Sequence, residues 1–361
     1  MKSEMTYVDT FLYTEQENGV DTRYSRQVLF SPIGLEGQRK LIGSRVAIVG
    51  MGALGTVLAN HMVRAGVGYV RLIDRDFVEA SNLQRQMLYD EEDAATMTPK
   101  AIAAAKRLQL VNSLVTIEPH VMDLNATNAE DLLGDVDLIL DGTDNFSVRF
   151  LINDVSIKLG IPWIYGGAVA SRGVSLTILP GQTPCLRCLF TQAPAAGTTE
   201  TCDTAGVIGG IIHVVASFQA TEALKLLVGA TEQLNLRMQQ WDLWFNQHSA
   251  INVTSALKAD CPACASKQYD YLETDIDSDT IQSLCGRNSV QIHPVNPAAK
   301  PLEYWEERLK PLGSVERNRF LLKFQAGPDL YMVIFPDGRV LVQGTEDLIQ
   351  AKSLYSRYIG M

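Results

Sequence analysis

Apolar positions in the first half of the chain fall into short runs that alternate with stretches of helical spacing. Arg45–Val49 (RVAIV) is a short β-branched run of the kind a buried parallel strand requires. Gly50-Met51-Gly52-Ala53-Leu54-Gly55 follows at once. Residues 56–65 then have helical character, and Gly66-Val67-Gly68 stops them. Tyr69–Ile73 (YVRLI) reads as the next strand and ends at Asp74. Together these make a complete βαβ unit of about thirty residues.

The alternation continues. Residues 24–41 look helical, with turns at Ser31-Pro32 and Gly34. Thr98-Pro99 starts a helix over Lys100–Val111, since Thr can cap and Pro suits the first turn. Residues 115–121 read as a strand, 131–133 as the end of a short helix and 137–140 as a strand. Asp141-Gly142-Thr143-Asp144-Asn145 closes that strand, Phe146–Leu159 is a helix, and 161–165 is a strand before Gly166-Gly167. Strands alternating with helices predict a mainly parallel, doubly wound α/β sheet. Past Gly173 the pattern changes. Residues 174–179 form a strand with no obvious crossover helix, 207–227 a long apolar helix, and 237–245 and 249–254 antiparallel strands. Residues 1–21 look like a loose tail and 266–280 like a polar, acidic linker. Residues 281–361 read as a small α+β module, with strands at 289–292, 320–324, 331–335 and 340–342 and helices at Leu302–Leu309 and 346–358. Pro336-Asp337-Gly338 makes its hairpin turn.

Composition narrows the function classes. The 361 residues suffice for about two domains, and 46% hydrophobic with 20% charged residues is an ordinary globular balance. A net charge of −10 with no long basic run argues against nucleic-acid binding. No apolar run reaches the length of a membrane span, and the acidic N-terminus lacks a signal pattern; a cytoplasmic location is expected. Six cysteines are present. Four form two pairs, Cys185-x-x-Cys188 and Cys261-x-x-Cys264; Cys202 and Cys285 stand alone. Without an export signal, such pairs read as metal binding rather than disulfides. Four thiolates would make a closed Zn²⁺ site that staples the 180s to the end of the antiparallel strands.

The glycine run sits after a strand and opens a helix. There Gly50, Gly52 and Gly55 let the backbone approach a phosphate, and the helix N-terminus supplies N–H donors. Asp74, about twenty residues further on, is placed to accept from a ribose; Asp76 follows it. These features alone do not separate a nicotinamide cofactor from ATP. Ser81-Asn82-Leu83-Gln84-Arg85-Gln86 then clusters amide and guanidinium groups, and Arg85 suits phosphate oxygens. Lys100 at a helix start opposes the dipole, which is tolerable if an anion lies between them. Asp144 is a candidate Mg²⁺ ligand, and Asn145 is either a ligand neighbour or a helix cap. Cys202, in a stretch of small and polar residues, is either a nucleophile toward an activated acyl group or an ordinary loop cysteine. Cys285 reads as structural. His61, His120, His213 and His248 show no ligand or triad spacing.

Taken in order, Arg23-Tyr24-Ser25-Arg26-Gln27, the glycine run, Ser81 to Gln86, Lys100, Gly142-Thr143-Asp144-Asn145 and both Cys pairs resemble the MoeB/ThiF adenylyltransferases. These are bacterial relatives of ubiquitin-activating enzymes, and the resemblance covers roughly residues 20–265. It implies a Rossmann-like ATP-binding domain that adenylates the Gly-Gly carboxylate of a ubiquitin-like sulfur carrier (ThiS-like or MoaD-like) and releases pyrophosphate. The pathway would be thiamin thiazole or molybdopterin biosynthesis. By the same resemblance Asp74 holds the ribose; Asn82, Arg85 and Lys100 bind phosphates; and Asp144 binds Mg²⁺. Arg26 reaches across a homodimer to the other subunit's ATP, and Cys202 matches a loop cysteine that some members use in acyl or sulfur transfer. A sulfur donor such as a cysteine desulfurase is implied as well. Residues 281–361 show no rhodanese-like loop with a persulfide cysteine.

Three rivals frame the reading. A nicotinamide oxidoreductase would use the glycine run and Asp74 but gives no role to Arg85, Lys100, Asp144 and the four cysteines together. A noncatalytic partner subunit would be expected to have lost the phosphate-binding groups. A short peptide could replace the carrier as the adenylated substrate.

Overall fold

The computed structural model describes residues 16–17, 20–192, 200–273, 280–284, 288–294 and 300–360. The expected cysteine at 285, most of the small-residue stretch before Cys202 and nearly all of the N-terminal tail lie outside them.

Eight strands form the main sheet: β1 (Arg45–Val49), β2 (Tyr69–Ile73), β3 (Thr116–His120), β4 (Leu138–Asp141), β5 (Trp163–Val169), β6 (Arg172–Ile178), β7 (Met238–Asp242) and β8 (Gln247–Ile251). Their spatial order is β8-β7-β6-β5-β4-β1-β2-β3. The five strands from β3 to β5 are parallel, and β6 to β8 continue the sheet antiparallel. The α/β expectation, a parallel sheet running on into antiparallel strands, therefore holds.

The strand sequences explain why the sheet is covered on both faces. Side chains alternate across a strand. Val46 and Ile48 of β1 join one core cluster, while Ala47 and Val49 join another. Helices α1 (Gly34–Gly43), α2 (Ala53–Ala65) and α3 (Lys100–Val111) pack on the first face, and α4 (Phe146–Leu159) on the second. A short helix, α5 (Leu186–Leu189), begins just after Cys185, the first cysteine of the first pair, and ends just past Cys188.

Helix α6 (Gly209–Val228) corrects one expectation. Its 20 residues are long and apolar enough to cross a membrane by length and composition alone, whereas the sequence reading expects no run of that length. Its packing is that of a core helix. Ile211, Ile212, Val215 and Ala216 are buried in the first-face core. Gln219 Nε2 donates to the carbonyls of Asp141 and Ile164 at 3.0 and 3.1 Å, inside the sheet.

Six further strands form an antiparallel sheet: β9 (Thr280–Leu284), β10 (Ser289–His293), β11 (Val315–Arg317), β12 (Leu322–Gln325), β13 (Tyr331–Ile334) and β14 (Val340–Gln343). Their order is β9-β10-β14-β13-β12-β11. Helices α7 (Leu302–Leu309) and α8 (Leu348–Tyr358) share its core through Trp305, Leu309, Ala351 and Tyr355. Part of the expected linker is packed: Tyr269 and Leu272 are buried, and Tyr271 stacks on Phe150 at 4.8 Å. Aromatic residues within an acidic stretch give it this anchor. Val20 and Asp21, at the end of the expected tail, are buried too.

Candidate functional site

The order β3-β2-β1-β4-β5 reverses direction between β1 and β4. In open α/β sheets, ligands bind in the crevice at such a point. A cavity of about 870 Å³ opens there. Its floor is built from glycine. Gly50 has φ +86°, a conformation that side chains rarely adopt, and a Cβ on it would come within 2.8 Å of the Gly142 carbonyl oxygen. A Cβ on Gly55 would collide with the Gly50 carbonyl. Gly50 and Gly55 thus allow close backbone packing of the β1 turn, the start of α2 and the β4 turn. Gly52 differs: it lines the cavity, and a Cβ there would meet nothing within 4 Å. Gly52→Ala should therefore fold with its melting temperature unchanged and lose ATP affinity about tenfold, an effect of ~1.4 kcal/mol. Gly55→Ala should lose stability first. Calorimetric titration beside thermal melting separates the two.

The cavity wall gathers most of the sequence-predicted residues: Gly50, Gly52, Asp74, Asp76, Arg85, Lys100, Asp144, Asn145 and Cys202. Asp74 holds the glycine loop, accepting from Met51 N–H at 2.6 Å and from Asp76 N–H at 2.7 Å. Burial pushes its carboxyl above the usual range; the Lys100 charge opposes this and Asp76 reinforces it. Lys100 is 4% exposed, and its Nζ lies 3.4 Å from Asp76 Oδ2. Asp76 thus supplies the anion that a lysine at a helix start needs. Arg85 is half-buried and donates to the Ser81 carbonyl at 2.8 Å. Asp144 is exposed at the cavity wall. Asn145 accepts from Ser147 and Val148 N–H and so caps α4. The Cys202 thiol donates to the Ala168 carbonyl at 3.3 Å.

Three predicted residues stand apart from the cavity wall. Gly55 serves backbone packing, as above. Asn82 is buried and caps a turn, accepting from Glu79 N–H at 3.2 Å. Arg26 is exposed on the short helix Ser25–Val28.

Sequence reasoning missed Arg149. Its guanidinium is buried in the cavity wall, donating to Asp141 Oδ2 at 3.0 Å and to the carbonyls of Thr143 and Gly166 at 2.6 and 2.8 Å. Asp141 is fully buried, and a buried carboxylate needs a counter-charge. That requirement was the available signal, four residues past Asn145 on the next helix. Asp141 also accepts from Thr143 N–H and Oγ1, so it stabilises the turn.

The four paired cysteines converge. Sγ separations are 3.9 Å for Cys185–Cys188, 3.6 Å for Cys185–Cys261 and 3.5 Å for Cys188–Cys264, and all four sulfurs lie within 4.8 Å of one another. A tetrahedral zinc thiolate, with Zn–S bonds of about 2.3 Å, has S–S edges of about 3.8 Å. The donor set fits Zn²⁺. Without a cation, burial pushes the Cys185 thiol up to about 12; a bound metal would hold the thiolates deprotonated. The quartet joins α5 to the segment after β8.

Comparison with known proteins agrees with this geometry. The ThiF family profile matches residues 24–263. The sulfur carrier protein ThiS adenylyltransferase of Bacillus subtilis is 45% identical over 339 residues, covering 94% of this chain and 99% of that one. The sulfur carrier protein adenylyltransferase of Thermus thermophilus is 39% identical over 247 residues, 67% of this chain and 90% of that one. Among solved structures, E. coli MccB with ATP shares the fold at a TM-score of 0.59 and 21% identity, covering 67% of this chain and 74% of that one. The chain belongs to the ThiF family.

Proposed function

We propose that the chain adenylates the C-terminal carboxylate of a ubiquitin-like sulfur carrier ending in Gly-Gly, at the expense of ATP. The observation that carries this reading is the cavity at the switch point, whose wall brings together a glycine floor, Lys100, Arg85 and Asp144. The similarity to the Bacillus ThiS adenylyltransferase along nearly the whole of both chains favours a ThiS-like carrier, and with it thiazole formation.

In the reaction the carrier carboxylate oxygen attacks the α-phosphorus. A carboxyl–phosphate bond forms, the bond to the bridging β-phosphate oxygen breaks, and pyrophosphate leaves with the electron pair. The nucleophile is already ionised, so no general base is required. The protein's work is to position the reactants and neutralise charge. Asp74 would accept from the ribose hydroxyls with lone pairs left over from its backbone contacts. Lys100 and Arg85 would hold the phosphates. Mg²⁺, when bound, would be held by Asp144 with phosphate oxygens and would offset charge on the leaving group. Arg26, exposed and away from its own cavity, would serve the site of a second copy in a homodimer. Cys202 is the candidate for a later acyl or sulfur transfer, and Zn²⁺ on the cysteine quartet would be structural.

The test is ATP–pyrophosphate exchange with ThiS-like and MoaD-like carriers, each with and without its Gly-Gly tail. Exchange with the ThiS-like carrier, lost when the tail is removed, is the expected result. Exchange with neither carrier, despite ATP binding, would overturn the carrier assignment in favour of a peptide substrate.

A further inference from the structure

The C-terminal sheet grips the strand-end loops that carry the nucleotide-facing residues. Arg339 is 2% exposed, and its Nη2 donates to the Arg75 carbonyl at 3.0 Å. That carbonyl lies in the backbone between Asp74 and Asp76, both of which line the cavity. The Arg339 guanidinium rests on the Phe335 ring, 3.8 Å from its centroid, so the donor is held in place from behind. The Arg75 side chain turns to Asp123, donating to its two oxygens at 2.9 and 3.0 Å. Asp123 is a cavity residue in the loop after β3, and the C-terminal sheet reaches it as well. His293 Nε2 lies 2.8 Å from Asp123 Oδ2, and Gln291 donates to the same oxygen. A third loop, just before Lys100, is held by Asn318, whose Nδ2 donates to the Thr96 carbonyl at 2.8 Å. Beneath these polar contacts Phe77, two residues beyond Arg75, is buried among Leu321, Val333, Phe335 and Leu341.

We propose that the C-terminal sheet presets the nucleotide site, with Arg339 as the positioning residue that fixes the Asp74–Asp76 backbone for the ribose of a nucleoside triphosphate. The proposal rests on the ATP reading above. On this view the described residues of 281–361 act by holding three loops of the ATP pocket at one spacing. Preorganisation of this kind appears in nucleotide affinity, because a loop that must be ordered on binding costs free energy that a fixed loop does not.

The test uses the full-length chain and ATP alone, then ATP with carrier. Arg339→Met is expected to raise the ATP Kd about tenfold, equivalent to ~1.4 kcal/mol. Arg339→Lys, which keeps a donor on a shorter reach, should recover part of it. Asn318→Ala should give a smaller rise. Arg317→Ala removes ion pairs to Glu303 and Glu306 that lie within the C-terminal sheet and its helix, so ATP affinity should be unchanged. In exchange assays KM for ATP should rise while KM for the carrier stays constant. A general structural defect would move both. If Arg339→Met and Asn318→Ala bind ATP as the unmodified chain does, or if both KM values rise together, the proposal is wrong. Failure of the unmodified chain to bind ATP is a separate result, which overturns the functional reading and this proposal with it.

Discussion

Lys100→Ala is expected to lower the rate of ATP–pyrophosphate exchange by about 10²–10³-fold, the loss that follows removal of one preorganised charge-stabilising donor from a buried site. Lys100 is a buried cation beside the acidic pair Asp74 and Asp76. ATP brings further negative charge to the same wall. Without Lys100 the cavity would present two closely spaced carboxylates to a polyphosphate, so both binding and turnover should fall. Single-turnover measurement at saturating ATP separates the two effects. Near-normal exchange in this variant would place the phosphates elsewhere in the cavity.

Loss of the Zn²⁺ proposed for the cysteine quartet should have the largest effect on stability. Structural zinc thiolate sites contribute apparent binding free energies of about 10–16 kcal/mol, which is comparable to the whole stability of a domain. Cys185→Ser or Cys261→Ser is therefore expected to unfold the region around α5 and the segment after β8 near room temperature. A strong chelator should lower the melting temperature of the unmodified chain by well over 10 °C, by the usual scaling of melting temperature with stability. Elemental analysis should find one zinc per chain, lost together with the melting transition. Full stability with no bound metal would turn the quartet into four inert thiols.

The parts legible in the sequence were those that local rules determine. The β1–α2–β2 unit could be read because buried parallel strands leave continuous apolar runs and because the glycine spacing belongs to one turn. The cysteine quartet was visible as pairs, although nothing local shows that distant pairs meet. Less legible was which polar residue of a loop turns inward. Asn82 and Arg85 sit in one amide-rich stretch, yet a capping bond turns Asn82 into the backbone and leaves Arg85 on the cavity. The sequence places strand β8 at 249–254, and it lies at Gln247–Ile251; every residue of it is exposed and β7 supplies its partner, so its sequence carries no burial signal to fix its ends. Thr280–Leu284 and Val315–Arg317 were missed for a related reason: short edge strands depend on their neighbours more than on their own residues. Arg149 and Arg339 escaped because each answers a buried group that only the folded chain brings near.

Helix α6 also sets an order on how the molecule is made. Released into water or presented to a bilayer, its 20 residues would be a hazard. Most of the surface that receives it, on α1, α2, β5 and β6, lies earlier in the sequence, while Trp241 of β7 closes over Phe218 from a later segment. A chain synthesised from its N-terminus therefore meets this apolar segment with most of its cradle already translated, and the helix can dock as it emerges.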